Sequence, residues 1–181
     1  MRFVQLFYKD ISQIESSGGF SVARLVDVTE KYALTVICDK PMSDQIVMRS
    51  QHVTGCEQML PEVLYSMLAD HATPPMECRV YDVVGGQYRV ALICRRPMMV
   101  RHIRMSDAVL LHIIAQIPIF IEEKLMARQC SPYGSTTAGI AIPINTLDTE
   151  HLNRELQRAI EDEDYRLASH LHEELQRRTV T

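Results

Sequence analysis

The chain has 181 residues, 46% of them hydrophobic and 23% charged, with a formal net charge of −4. That length accommodates one full domain plus a small appendage, and the composition is that of an ordinary globular protein rather than a fibrous or disordered one. No apolar run approaches the roughly 18 residues needed to span a bilayer, and the opening "MRFVQLFYKDIS" lacks the apolar core and cleavage site of a signal peptide. A cytoplasmic protein without membrane contact is expected.

Taken in chain order, "RFVQLFY", "FSVARLVDV" and "YALTVIC" read as strands: each is short, rich in β-branched and aromatic residues, and bounded by turn formers. "DQIVMR" reads as a fourth, short strand. The period then changes at "LPEVLYSMLADH", where Val63, Leu64, Met67 and Leu68 make one helical face and Pro61 with Glu62 suits a first turn. "ECRVYDVVGGQYRVALICRR" is a hairpin across Gly85-Gly86, residues that accept the positive φ of a tight turn. Its second arm is apolar on both faces, as in a central strand, and "MMVRHIR" follows Pro97 as another strand.

In "RMSDAVLLHIIAQIPIFIEE", residues 104 to 123, a charged trio opens an oily segment. Ser106 reads as the N-cap of a helix, with Asp107 on the positive end of its dipole. Ile117-Pro118 ends that helix, "PIFI" is a short buried or edge strand, and "EEKLMARQ" starts the next helix. Residues 131–147 lose periodicity and read as a linker or loop. Beyond them, Leu152, Leu156 and Ile160, then Leu167, Leu171 and Leu175, repeat at four-residue spacing around the acidic turn "EDEDY". Two amphipathic helices joined by a tight turn make an antiparallel hairpin. The fold class is therefore α+β: a mixed or antiparallel sheet with packed helices over 1–130, a linker over 131–147, and a two-helix hairpin over 148–179.

Charge is unevenly distributed. Residues 1–145 carry 14 Lys+Arg and 14 Asp+Glu, whereas 146–181 carry 5 and 9. A protein that grips nucleic acid by counterion release needs a basic surplus somewhere, and the candidate is residues 83–106, with five arginines and no acid. Arg95, Arg96 and Arg101 are its nucleic-acid-binding candidates, and Tyr81 and Tyr88 flank it as residues able to stack on bases or simply to pack across strands. Cys38, Cys56, Cys78, Cys94 and Cys130 are scattered without a C-x-x-C pair, so they read as thiols rather than disulfides or metal ligands. His102 and His112 read as packed or surface imidazoles.

Two segments resemble known families. The tail, through Leu152, Leu156, the "EDEDY" turn to Tyr165, Ala168, Leu171 and Leu175, is similar to the UVR motif, the helical hairpin of the nucleotide-excision proteins UvrB and UvrC. The preceding region resembles the bifunctional-nuclease family, whose members carry Arg-x-Ser-Asp-Ala, an apolar helix, then Pro-Ile and an aromatic. Here these are Arg104, Ser106, Asp107 and Ala108, followed by Pro118, Ile119 and Phe120. Where members carry a His-Asp pair opening a helix, this chain has Pro61-Glu62.

The resemblance implies a nuclease acting on DNA or RNA, with Arg104, Ser106 and Asp107 as its catalytic residues. A helix N-terminus with Arg104 beside it suits a phosphate, and Asp107 would act as general base or hold a metal-bound water. The same trio also reads as a purely structural cap and ion pair. A divalent metal ion is the cofactor such chemistry commonly recruits, but Asp107, Glu122, Glu123 and Glu62 show no diagnostic spacing, so no metal ligand is assigned. The hairpin implies a protein partner met through Leu156, Tyr165 and Leu171, and a homo-oligomer is expected. The rival reading is a non-catalytic adaptor working through that hairpin.

Overall fold

Alternating apolar and polar side chains in the first forty or so residues fold into three consecutive antiparallel strands, β1 (Phe3–Gln13), β2 (Ser21–Asp27) and β3 (Tyr32–Cys38). The structure is a computed structural model and describes residues 2–13, 20–69, 75–133, 147 and 149–179. β1 bulges between Tyr8 and Asp10. β2 and β3 are joined by a turn that Asp27 organises, its carboxylate accepting from the backbone N–H of Lys31 and Tyr32, each at 3.0 Å.

The segment expected as a fourth strand is instead the helix α1 (Lys40–Ser50). Asp39 caps it, its side chain accepting from the Met42 N–H at 2.9 Å, and Pro41 lies in the first turn. Met42, Ser43, Ile46 and Arg49 are its buried residues, a helical spacing. The window "DQIVMR" begins inside the helix and omits its start signal, so β-branched content was misleading there. A 3-10 turn at Cys56–Gln58 then leads into α2 (Leu60–Ala69).

The hairpin follows as read: β4 (Met76–Val84) and β5 (Gln87–Arg95) pair antiparallel around Gly85 and Gly86, both at positive φ. β6 (Met98–Ile103) extends it, and α3 (Met105–Ala115), β7 (Ile119–Glu122), α4 (Glu123–Gln129) and the two-residue β8 (Ser131–Pro132) complete the core. The short strand β7 is central: it runs parallel to β4 and antiparallel to β1, with Ile119 and Ile121 fully buried. The eight strands lie in the order β6-β5-β4-β7-β1-β2-β3-β8.

This mixed sheet is strongly curled. Tyr88 on β5 donates its hydroxyl to the Thr35 carbonyl of β3 at 3.3 Å, although four strands separate them in the sheet. α3 packs against β1, β3, β5 and β7 in the hollow, contributing Met105, Ala108, Val109 and Leu110 to one core with Leu6, Leu25, Leu34, Val80 and Ile119. Its apolar character all round is explained by this enclosure.

The tail is the expected antiparallel hairpin, α5 (Thr149–Glu161) and α6 (Tyr165–Thr179), with its own small core of Leu152, Ala159, Ala168 and Leu171. Ile160 and Leu167, read as part of the stripe, are exposed; the small Ala159 and Ala168 face inward instead. Among the described residues the hairpin approaches the sheet domain near Phe20 and near the β4–β5 turn. His151 meets Phe20 edge-on at 4.6 Å between ring centroids, and Arg178 donates to the Leu147 carbonyl at 2.6 Å directly over the β4–β5 turn. A Cβ at Gly86 would collide with that carbonyl, so glycine is required there for approach as well as for φ. Residues 134–146, most of the expected linker, lie outside the described residues, and Ser131–Pro132 pair with β3.

Candidate functional site

Two helices begin side by side on the mouth of the curled sheet, α1 after β3 and α3 after β6. Arg104, not Ser106, occupies the N-cap position of α3, with extended φ −71 and ψ 154, and its carbonyl accepts from the Ala108 N–H at 3.1 Å. The helix starts earlier than the serine suggested because β6 runs straight into it. The Arg104 side chain makes no capping hydrogen bond, so among the described residues the first turn of α3 keeps the positively polarised character of a helix start.

Arg104 and Asp107 form a two-pronged pair, Nε to Oδ2 at 2.9 Å and Nη2 to Oδ1 at 3.0 Å. The hydrogen bond to Asp107 and its charge raise the Arg104 guanidinium above its usual value, and the more distant Asp39 and Cys38 act the same way. The Arg104 side chain is 67% exposed, so water screens this pair and an incoming anion can displace it at small cost.

Arg104 stands on a ridge between two hollows. One, of about 270 Å³, is lined by Asp39, Gly86, Tyr88, Arg104 and Ser106 among others. The other, of about 760 Å³, brings Arg104 and Asp107 together with Tyr81, Asp82, Arg89 and His102. In that groove the Tyr81 hydroxyl and His102 Nδ1 lie 3.2 Å apart. Asp39 and Arg89 were missed from the sequence: Asp39 because its helix was read as a strand, Arg89 because nothing in an arginine-rich run says which arginine faces the groove. Tyr88 is buried, its hydroxyl pushed up by desolvation, so it belongs to the core rather than to a stacking surface.

The other predicted residues do not gather here. Arg95 pairs with Glu77 at 2.9 Å, beside Arg79, whose guanidinium lies 4.8 Å from the Phe3 ring centre. Arg96 sits in the β5–β6 turn. Arg101 stands opposite Leu92, three residues before Arg95 on β5, so the two arginines project from opposite faces of the sheet. Among the acids expected near the motif, Glu123 pairs with Arg2 at 3.7 Å, and Glu62 is clamped by Arg49 at 2.5 and 2.8 Å. Glu62 lines a groove of about 1010 Å³ with His112, Ile113 and Gln116, at the far end of α3 from Asp107.

Among the described residues no three His, Cys, Asp or Glu side chains are grouped to hold a metal ion. Asp39, which caps α1, Asp107, which Arg104 holds, and Asp82 in the larger groove are carboxylates near Arg104. They do not make a protein-only cage. In the tail, Tyr165 is exposed and Leu156 half-buried, while Leu171 lies inside the hairpin and holds it together. Cys38, Cys78 and Cys94 are buried as core thiols, and desolvation pushes Cys38 up to about 11 and Cys78 up to about 12.

A curled mixed sheet around one apolar helix, with an arginine and a carboxylate at the start of that helix, defines an α+β domain. The bifunctional nuclease domain model matches residues 24–133, from β2 through the end of the sheet, and the chain belongs to this family. None of the curated proteins matches it. The match includes Arg104, Ser106 and Asp107 but neither β1 nor the tail hairpin.

Proposed function

We propose that the chain is a nuclease that hydrolyses phosphodiester bonds of DNA or RNA at the N-terminus of α3. The observation that carries this reading is the uncapped helix start bearing the Arg104–Asp107 pair on the wall of a groove that also presents Arg89, Tyr81 and His102, inside the span matched by the family. A backbone phosphate meets Arg104 and the N–H groups of the first turn. As Arg104 turns to the phosphate it releases Asp107, whose carboxylate takes a proton from the attacking water as that oxygen bonds to phosphorus; the P–O bond to the leaving sugar oxygen breaks, and that oxygen takes its proton from solvent. Ser106, in the first turn, lines the smaller hollow, and in this reading its hydroxyl donates to a phosphate oxygen.

The test is cleavage of labelled single- and double-stranded DNA and RNA by the purified full chain, with and without added divalent metal. Asp107→Asn is expected to lower the rate by about 10²-fold or more, the range for a lost general base, without changing the melting temperature by more than a few degrees. Equal cleavage by variant and parent, or activity that separates from the protein on purification, sinks the assignment.

We further propose that residues 148–179 are a UVR-like hairpin, a unit distinct from the sheet domain, which docks on a protein partner. The exposed Ile160, Tyr165 and Leu167 beside the acidic turn support this, as they offer apolar contact ringed by negative charge. Five free cysteines support a reducing compartment, the cytoplasm. No helix among the described residues is long and apolar enough to cross a membrane.

A further inference from the structure

α2 is held to the rest of the domain by its least apolar stripe. Glu62 is locked in the buried pair with Arg49 and Tyr65 packs at the edge of the core, yet none of the ten residues of α2 is buried. The opposite face carries Leu60, Val63, Leu64, Met67 and Leu68, which are 69%, 38%, 51%, 59% and 55% exposed. Leu60, Leu64 and Leu68 form one ridge at four-residue spacing, with Val63 and Met67 beside it. This is the face that the sequence marks as core, and it stands exposed among the described residues.

We propose that this face is covered by α2 of a second copy of the chain, packed antiparallel about a twofold axis at Leu64. The ridge is symmetric about that residue, so Leu60 of one chain lies opposite Leu68 of the other, the self-complementary arrangement a twofold interface requires. The face bears no charge: Glu62, the one charged residue of the helix, is turned away and bound to Arg49. Two copies therefore approach without like-charge repulsion, whereas nucleic acid or a charged peptide finds no counter-charge on it. Antiparallel pairing also sets the helix dipoles in opposition. Five side chains exposed to this degree leave an apolar patch on the order of several hundred Å², the size that marks interaction sites. Such a patch supplies part of the roughly 800 Å² per partner that a stable interface buries. Because Glu62 lies at the far end of α3 from Arg104, the pairing leaves both hollows beside Arg104 open.

Sedimentation equilibrium on the full chain at micromolar concentration tests this. The expected mass is twice the 20.7 kDa of one chain, falling to the single-chain mass in Leu64→Glu and in Leu64→Lys with unchanged circular dichroism. An equal mixture of those two variants is expected to regain the double mass, since the axis sets their new charges opposite each other. Leu68→Lys, at the end of the ridge, repeats the measurement if either Leu64 variant loses its fold. A monomeric parent chain overturns the proposal, as does a Leu64→Glu variant that keeps the parent's mass, the result expected if copies met through the tail hairpin. Failure of the mixture to regain the double mass overturns the twofold arrangement.

Discussion

Asp27 shows how much one carboxylate can organise. Burial by itself would push its carboxyl up, but the Thr29 hydroxyl and the N–H groups of Tyr32, Thr29 and Lys31 outweigh that and hold it below the ordinary value. A carboxyl depressed in the folded state stabilises the fold fully above its unfolded value, near 3.8, and the contribution disappears as pH falls through the depressed value. Melting temperature followed from neutral pH down to about 2 should therefore drop more steeply for the parent than for Asp27→Asn; parallel curves would show that the carboxylate does not hold the turn. Asp27→Ala should cost about 1–3 kcal/mol at neutral pH, because the N–H groups it serves lose their acceptor. At this scale the sequence was informative where a motif lies within one turn of chain. Arg104, Ser106 and Asp107 could be named as candidates because that part of the family resemblance lies in one short run, residues 104–108. Arg89 lies beside Arg104 through the β5–β6 pairing that sets Val90 opposite Ile103, whereas Asp39, at the end of β3, is brought there only by the curl of the sheet.

Among the elements, the β4–β5 hairpin and the α5–α6 hairpin were legible because each is built from neighbours in sequence, with a glycine pair or an acidic turn between two periodic runs. α1 was not, since its apolar residues are few and its strongest signal, Asp39 before Pro41, lies just outside the run that drew the eye. For α2 the existence of a helix was clear but its orientation was not, because the pair that sets it joins Glu62 to Arg49 on a different element. With the Arg49 side chain 4% and the Glu62 side chain 16% exposed, removing one partner leaves a charge stranded away from water. Glu62→Ala should accordingly destabilise the chain by about 3–5 kcal/mol in urea unfolding. Arg49→Met combined with Glu62→Leu should recover a large part of that loss. A double variant as unstable as the single would show that the pair supplies more than compensation of its own burial.

For the molecule as a whole, the fold class was legible and the strand order was not. Periodicity identifies strands but carries no record of partners far along the chain, and here β1 pairs with β7 more than a hundred residues later. The two apolar clusters share no residue, which supports a sheet domain able to fold by itself. A chain ending near Asn145 should keep a single cooperative thermal transition, at a temperature lowered by loss of the contacts at Phe20 and Gly86. An insoluble or non-cooperative product would make the hairpin part of the core.

The four residues of β7 also set an order of events during synthesis. Until they are made, the strands already synthesised can pair only as β1–β2–β3 and β4–β5–β6, and each set lacks the neighbour that β7 later provides. The edges of β1 and β4 that will become the centre of the sheet are meanwhile open to any passing strand. Closing them requires a contact between the beginning of the chain and its last third, a slow step by loop entropy. The period in which this protein is most exposed to wrong partners therefore runs from the completion of β6 to the arrival of Ile119–Glu122, and a chaperone would matter most in that interval.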